Sequence, residues 1–243
     1  MKFNIITIFP GIFNGFLSES LLSKAQKKKL ITIKTHYLRD WTEDKHQTVD
    51  GKPYGGGPGL VFKIEPIFKA VTALKSKVKS NKSKVILFSP RGKKFTNELA
   101  KKWSRIDQLI FICGRYEGVD ERVAKYIADE VISIGDYVLN GGEVATMAVI
   151  EAVSRQLPGF MHDADSATKD DHAQYTKPEI FSPKKGVSWK VPKILLSGDH
   201  KKIENWRMSH SGVVPILQSK IEDPRFSKSL KTIRKSGRKK NDH

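Results

Sequence analysis

A single cysteine, Cys113, stands in 243 residues. That excludes an intramolecular disulfide framework and any metal site built on several thiolates. No apolar run is long enough to span a bilayer. The start, MKFNIITIFPG, holds only a short apolar stretch and reads as a first strand rather than a signal peptide. The chain also lacks the G-x-G-x-x-G fingerprint and the P-loop Lys-Ser/Thr, so neither a usual dinucleotide site nor a Walker nucleotidase is supported. Acidic residues are scarce: 26 Asp and Glu stand against 44 Lys and Arg, a net charge of +18. The imbalance is uneven, with 17 basic against 6 acidic residues from Tyr175 to the end. Such a balance suits a polyanionic partner, although a generally basic proteome produces it with no partner at all. The expectation is a soluble cytoplasmic protein, without a membrane partner, of one large domain or two modest ones.

What the chain does have is concentrated between Leu109 and Glu143. Leu109-Ile110-Phe111-Ile112 is apolar without alternation, which predicts a strand buried on both faces. The loop Cys113 to Gly118 follows, then a helical segment from Asp120 to Ala128 and a second apolar run, Val131 to Ile134. A second glycine loop, Gly135 to Gly142, leads into a helix opened by Glu143. There Val144, Met147, Ala148, Ile150, Val153 and Leu157 recur near helical spacing, and Pro158-Gly159 makes the stop. Strand, glycine loop and helix, given twice, is an α/β ligand-site pattern in which backbone N–H groups come close to a ligand.

Upstream, Phe3 to Phe9 reads as a strand, Ile12 to Gln26 as a helix ending in Lys27-Lys28-Lys29, and Leu30 to Tyr37 as another strand. Arg39 to Gly59 is long, polar and glycine-rich, ending in PYGGGPG. It can form neither a helix nor a central strand, and its Trp41 and Tyr54 favour an ordered lid or substrate loop over a disordered linker. Glu65-Pro66 opens a helix to about Ser80. Val85 to Phe88 reads as a buried strand, Ser89 to Gly92 as a third post-strand loop, and Thr96 to Trp103 as a helix with Trp103 in the core. If the three strands are parallel neighbours, all three loops lie at one sheet edge, where α/β sheets bind ligands. Leu87, Ile134, Tyr137, Leu139 and Gly141 suit a flat adenine held by main-chain groups better than a triphosphate.

Met161 to Tyr175 reads as a linker. Its His162, Asp163, Asp165, Asp170, Asp171 and His172 are either a solvated hinge or a source of acid–base groups, and their spacing gives little support to a metal site. Beyond it, Ile203 to His210 forms a short helix, and Ser227 to Lys240 a basic, helix-like tail. Lys184, Lys185, Lys190, Lys193, Lys201, Lys202 and Arg207 fit either a basic, solvated surface or RNA backbone binding. Trp189 and Trp206 are available for stacking, with core anchoring the preferred reading for both.

At GRYEGVDER (Gly114 to Arg122), SIGDYVLNGGE (Ser133 to Glu143), PYGGGPG (Pro53 to Gly59) and LLSGDH (Leu195 to His200) the chain closely resembles the bacterial tRNA (guanine-N1)-methyltransferases, over essentially its whole length. The resemblance implies an α/β fold: a knotted (trefoil), parallel-sheet methyltransferase domain over 1–160, a linker over 161–175, and a small helical, basic, tRNA-binding domain over 176–243. It implies a homodimer that transfers a methyl group from S-adenosylmethionine to N1 of the guanosine just 3′ of the anticodon. No general topology rule would have given the knot. The donor is expected against Leu87, Phe88, Ser89 and Pro90, against Gly114, Tyr116 and Glu117, and against Ile134, Gly135, Asp136, Tyr137, Val138, Leu139, Gly141 and Gly142. The family's catalytic Asp falls on Asp170, with Asp171 a competitor because the linker is shorter here, and its catalytic Arg falls on Arg155. Ala145 stands where a proline is common, which should loosen the start of that helix. No protein metal site is expected, and whether Mg2+ assists is open. The competing readings are a related methyltransferase acting on another RNA and a non-catalytic RNA-binding protein.

Overall fold

The computed structural model describes residues 1–76, 82–161 and 172–210. The chain divides into two units, Met1–Thr168 and Lys169–His243.

The first unit is built on five parallel strands: β1 (Lys2–Thr7), β2 (Thr32–Tyr37), β5 (Ser83–Lys94), β6 (Gln108–Ile112) and β7 (Glu130–Ser133). Their order is β2-β1-β6-β5-β7, and every neighbouring pair is parallel. The uninterrupted apolar run at 109–112 is the central strand, and all five residues of β6 are buried. Alternation along the sheet then divides the core in two. Phe3, Ile5, Ile86, Leu109 and Phe111 face one cluster with Trp103, Val149, Ile150 and Val153. Ile6, Val85, Leu87, Ile110 and Ile112 face the other with Ile67, Ala70, Val71, Leu74 and Val123. Helices α3 (Ile64–Lys75) and α5 (Glu121–Tyr126) cover that second face. Helices α2 (Ser20–Lys27), α4 (Asn97–Trp103) and α6 (Gly142–Arg155) cover the first. Two-sided burial is what an all-parallel sheet requires.

Local chemistry explains the boundaries. The Thr96 side chain accepts from the Leu99 N–H and caps α4, while the Asp120 side chain accepts from the Arg122 N–H and caps α5. Basic residues sit in the last turn of α2, Lys24 and Lys27, as the helix dipole favours. Trp103 is fully buried, as expected of a core residue.

The structure departs from the sequence reading in four places within this unit. The helix expected over Ile12 to Gln26 is broken: a 3-10 turn (Pro10–Phe13) and α1 (Asn14–Ser18) precede α2, with Glu19 extended and Ser20 at φ 58°. Helix α3 ends at Lys75 rather than near Ser80. The Ser89 to Gly92 loop is an excursion within β5, because Phe88 and Lys93 both pair with Ile132 and the residues between them bulge out. Finally, α6 buries Gly142, Ala145, Thr146, Val149, Ile150 and Val153, not Val144 and Ala148, which are exposed. Its buried stripe carries the polar Glu143, Thr146 and Ser154, which an apolar-periodicity reading passes over. Ala145 is buried within this regular helix.

The long polar segment is ordered, as expected. Leu38–Trp41 is a 3-10 turn, and the chain continues into a two-stranded antiparallel hairpin of β3 (Asp50–Gly51) and β4 (Val61–Phe62). PYGGGPG lies between the strands with Tyr54 fully exposed.

In the second unit the described residues form an antiparallel hairpin, β8 (Ile180–Lys184) with β9 (Val187–Lys190), then a 3-10 turn (Lys193–Leu196) and helix α7 (His200–Ser209). This part is therefore not purely helical. The Asp199 side chain caps α7 by accepting from the Lys202 N–H, and this bonding holds its carboxyl below the usual range. Trp206 lies in α7 against Tyr175 and His210. Trp189 is 60% exposed, so it is not the core anchor that the sequence reading preferred. The basic tail at 227–240 and most of the linker lie outside the described residues. Among the described residues, no helix is long and apolar enough to cross a membrane, and no His, Cys, Asp and Glu cluster could hold a metal ion.

Candidate active site

Because β6, β5 and β7 are parallel neighbours, the excursion at 89–92 and the loops after β6 and β7 emerge at one sheet edge. They enclose a cavity of about 650 Å3, a size ordinary for a small-molecule site. Its walls are Leu87 to Arg91 from the first segment, Gly114 to Val119 from the second, and Ile134, Gly135 and Tyr137 to Gly142 from the third, with Glu121, Ala124 and Ala145 at their edges. Every residue expected to touch the donor lies in this lining except Asp136, which is outside it. Among the residues that the structure adds are Arg91, Arg115 and Asn140. Each sits inside a segment that the glycine pattern had marked, so the signal was present, but residue type alone did not single it out.

Three close approaches fix these walls. Gly92 runs against β7, where an added Cβ would sit 2.6 Å from backbone atoms of Ile132. Gly142 lies on the start of the loop after β6, with its N–H donating to the Gly114 carbonyl at 3.0 Å and a would-be Cβ 2.8 Å from the Cys113 Cα. The third is electrostatic. Glu143 is 1% exposed, its Oε1 accepts from the Thr7 hydroxyl at 2.8 Å, and its Oε2 accepts from the Arg115 Nε at 2.9 Å. The Arg115 guanidinium also covers the Phe9 ring at 4.8 Å. Glu143 lies in the first turn of α6, where the helix dipole favours a carboxylate. The first strand, the second loop and the start of α6 are thus tied at one buried carboxylate.

Cys113, beneath this tie, is fully buried beside the Thr146 hydroxyl at 3.2 Å. Burial pushes its thiol well above the usual range, so it is inert rather than nucleophilic. Gly142→Ala should cost about 1–3 kcal/mol through overpacking against backbone that cannot yield, read as a fall of several degrees in Tm.

The β3–β4 hairpin docks on the second loop. The Glu117 N–H donates to the Leu60 carbonyl, the Phe62 N–H to the Gly118 carbonyl, and the Asp120 N–H to the Phe62 carbonyl, each at 3.0 Å. Tyr116 meets Phe62 edge-on at 5.5 Å and bonds to Asp50. Burial, then the Asp50 charge, raises the Tyr116 phenol above its ordinary value. At the cavity edge, Arg91 pairs with Glu121 at 2.8 Å. The glycine-rich segment is therefore anchored beside the cavity, as a substrate loop would need.

Of the two expected catalytic residues, Arg155 is not gathered there. Arg155 is the last residue of α6, whose 14 residues begin at the cavity. At 1.5 Å per residue the helix spans roughly 20 Å, so Arg155 lies at its far end, outside the lining. Asp170 and its competitor Asp171 lie outside the described residues.

The sequence model of the family described as tRNA (Guanine-1)-methyltransferase TrmD matches residues 1–215. A protein of Carboxydothermus hydrogenoformans named tRNA (guanine-N(1)-)-methyltransferase is 48% identical over 218 residues, 87% of this chain and 83% of that one. A relative of the same name from Dictyoglomus turgidum is 50% identical over 85% of this chain and 83% of its own. Another from Citrifermentans bemidjiense is 48% identical over 85% and 83%. With one edge of a parallel sheet opening into a cavity of three glycine loops, and with matches of this extent, the chain belongs to the tRNA (guanine-N1)-methyltransferase family.

Proposed function

We propose that the protein transfers a methyl group from S-adenosylmethionine to N1 of the guanosine immediately 3′ of the anticodon in tRNA. The observation that carries this reading is the convergence of the three glycine loops on one cavity, in a chain of this family. The residues present fit the donor. Leu87, Ile134, Tyr137 and Leu139 offer apolar surface to a flat base, the backbone of the three loops offers donors and acceptors, and among the described residues no Lys lines the cavity. When bound, the donor supplies a methyl group made electrophilic by a sulfonium.

The chain's own residues do the remainder. N1 of guanine carries a proton and becomes nucleophilic as that proton leaves. Asp170 accepts it. Negative charge then grows on the purine, chiefly at O6, and the Arg155 guanidinium stabilises it. The anticodon loop presents the base cheaply, because a single-stranded base can be turned out of its stack. The basic second unit contacts the RNA backbone.

Arg155 stands a full helix away from the cavity of its own chain, so this reading has it supplied by a second copy and makes the working unit a homodimer. Exposed apolar side chains on this side of α6 support that assembly: Phe9 just before the 3-10 turn that packs against α6, Ile12 on that turn, Val138 in the third loop, and Val144 on α6 itself. The trefoil knot belongs to the same proposal, and family membership supports it.

Methyl incorporation into tRNA transcripts with guanosine or adenosine 3′ of the anticodon, assayed with and without Mg2+, tests the reading. Guanosine transcripts should be methylated at N1 and adenosine transcripts should not. Methylation of ribosomal RNA alone would move the substrate, and absence of turnover with donor bound would sink the proposal.

A further inference from the structure

Hairpin β8–β9 carries a surface that nothing among the described residues uses. Phe181 and Trp189 are direct cross-strand partners, so their rings share one face, 5.6 Å apart and inclined at 44°. Both are largely open to solvent, 51% and 60% exposed, and Ile180 beside them is 49% exposed. Among the hairpin's residues only Val187 is even half-buried. A two-stranded hairpin is marginal in water without something packed on it, and an aromatic pair this open marks a contact surface.

The surrounding charge says what kind. Between Lys177 and Lys193 the sequence has five lysines, at 177, 184, 185, 190 and 193, and one acid, Glu179. All five lysines are exposed. Lys184 and Lys185 flank the turn at Gly186, and Lys190 closes the strand that bears Trp189. Exposed aromatic rings on a sheet, rimmed by cations and nearly free of carboxylates, combine the two elements of a single-strand nucleic-acid platform. The rings stack on unpaired bases and the ammonium groups hold the phosphates. An acidic protein partner would find the lysines but would leave the ring faces without a matching group.

We propose that the Phe181–Trp189 face of hairpin β8–β9 is a stacking platform for an unpaired base of the tRNA substrate, with Lys184 and Lys185 at the turn holding its phosphates. This rests on the tRNA reading above and adds to it a specific recognition element carried by the second unit.

The test uses the full chain and measures tRNA affinity by fluorescence anisotropy at several salt concentrations, donor binding by calorimetry, and mass in solution by sedimentation. Trp189→Ala should weaken tRNA binding roughly five- to hundred-fold, in the range that one base stack supplies, with the donor isotherm and sedimentation unchanged. Trp189→Tyr should restore most of the affinity. The double variant Lys184→Ala, Lys185→Ala should lower the slope of log affinity against log salt by about one for each phosphate that is no longer neutralised. Unchanged affinity in Trp189→Ala overturns the platform. So does a loss that Trp189→Tyr does not restore and that comes with altered sedimentation, which would make the face a protein contact. Failure of the unaltered chain to bind tRNA would instead remove the parent reading, and the comparison among variants keeps the two failures apart.

Discussion

Asp170→Asn is expected to lower kcat for methyl transfer by roughly 10²- to 10⁴-fold, the usual range for loss of a positioned general base, with the donor isotherm unchanged. The amide keeps the size and planarity of the carboxylate but has no lone pair basic enough to take the N1 proton. Among the described residues the lining comes from the three loop segments and the residues beside them, and the role proposed for Asp170 is on the purine, so donor affinity is not expected to follow activity. The neighbouring Asp171→Asn serves as the internal control. If it carries the loss and Asp170→Asn does not, the base is Asp171. If both retain full turnover, proton abstraction by this segment is ruled out. Single-turnover measurement is the appropriate readout, since it separates chemistry from release of the product tRNA.

The second large effect concerns assembly. Arg155→Ala and Asp170→Ala should each be nearly inactive alone, yet an equal mixture, dissociated and reassembled, should regain about a quarter of the wild-type activity, as random pairing in a two-fold dimer gives. If each site takes its base from one protomer and its guanidinium from the other, a mixed dimer holds one intact site and one doubly altered site. Half of the dimers are mixed, and half of their sites work. If both residues of a site came from one chain, no mixed dimer would contain an intact site and the mixture would stay inactive. The length of α6 is the basis of this expectation, because it holds the Arg155 end of the helix away from the cavity that its N-terminus helps to form.

Much of the site was legible because backbone demands leave strong marks. The unbroken run Leu109 to Ile112 could only be a strand covered on both faces, and glycines after three apolar runs marked places where main chain approaches main chain, as Gly142 does on Cys113. The strand order was not legible, since β5 between β6 and β7 depends on crossovers that leave no local trace. Nor was the excursion within β5, because Ser-Pro-Arg-Gly reads the same whether a strand ends or resumes after it. The break at Glu19–Ser20 gave no warning, as neither residue is a helix breaker by type. The buried stripe of α6 was misassigned because it includes Glu143 and Thr146, whose polar atoms are satisfied by Arg115, Thr7 and Cys113 from distant parts of the chain. Trp189 was misread for the opposite reason: tryptophan is usually interior, and only the absence of packing on its hairpin reveals otherwise.

The bond from Thr7 to Glu143 joins positions 136 apart in sequence. The cavity wall built on Glu143 and Arg115 is therefore coupled to the N-terminal strand and cannot loosen by itself without disturbing it. A small molecule seated there would steady the entire domain, not merely the turns that touch it.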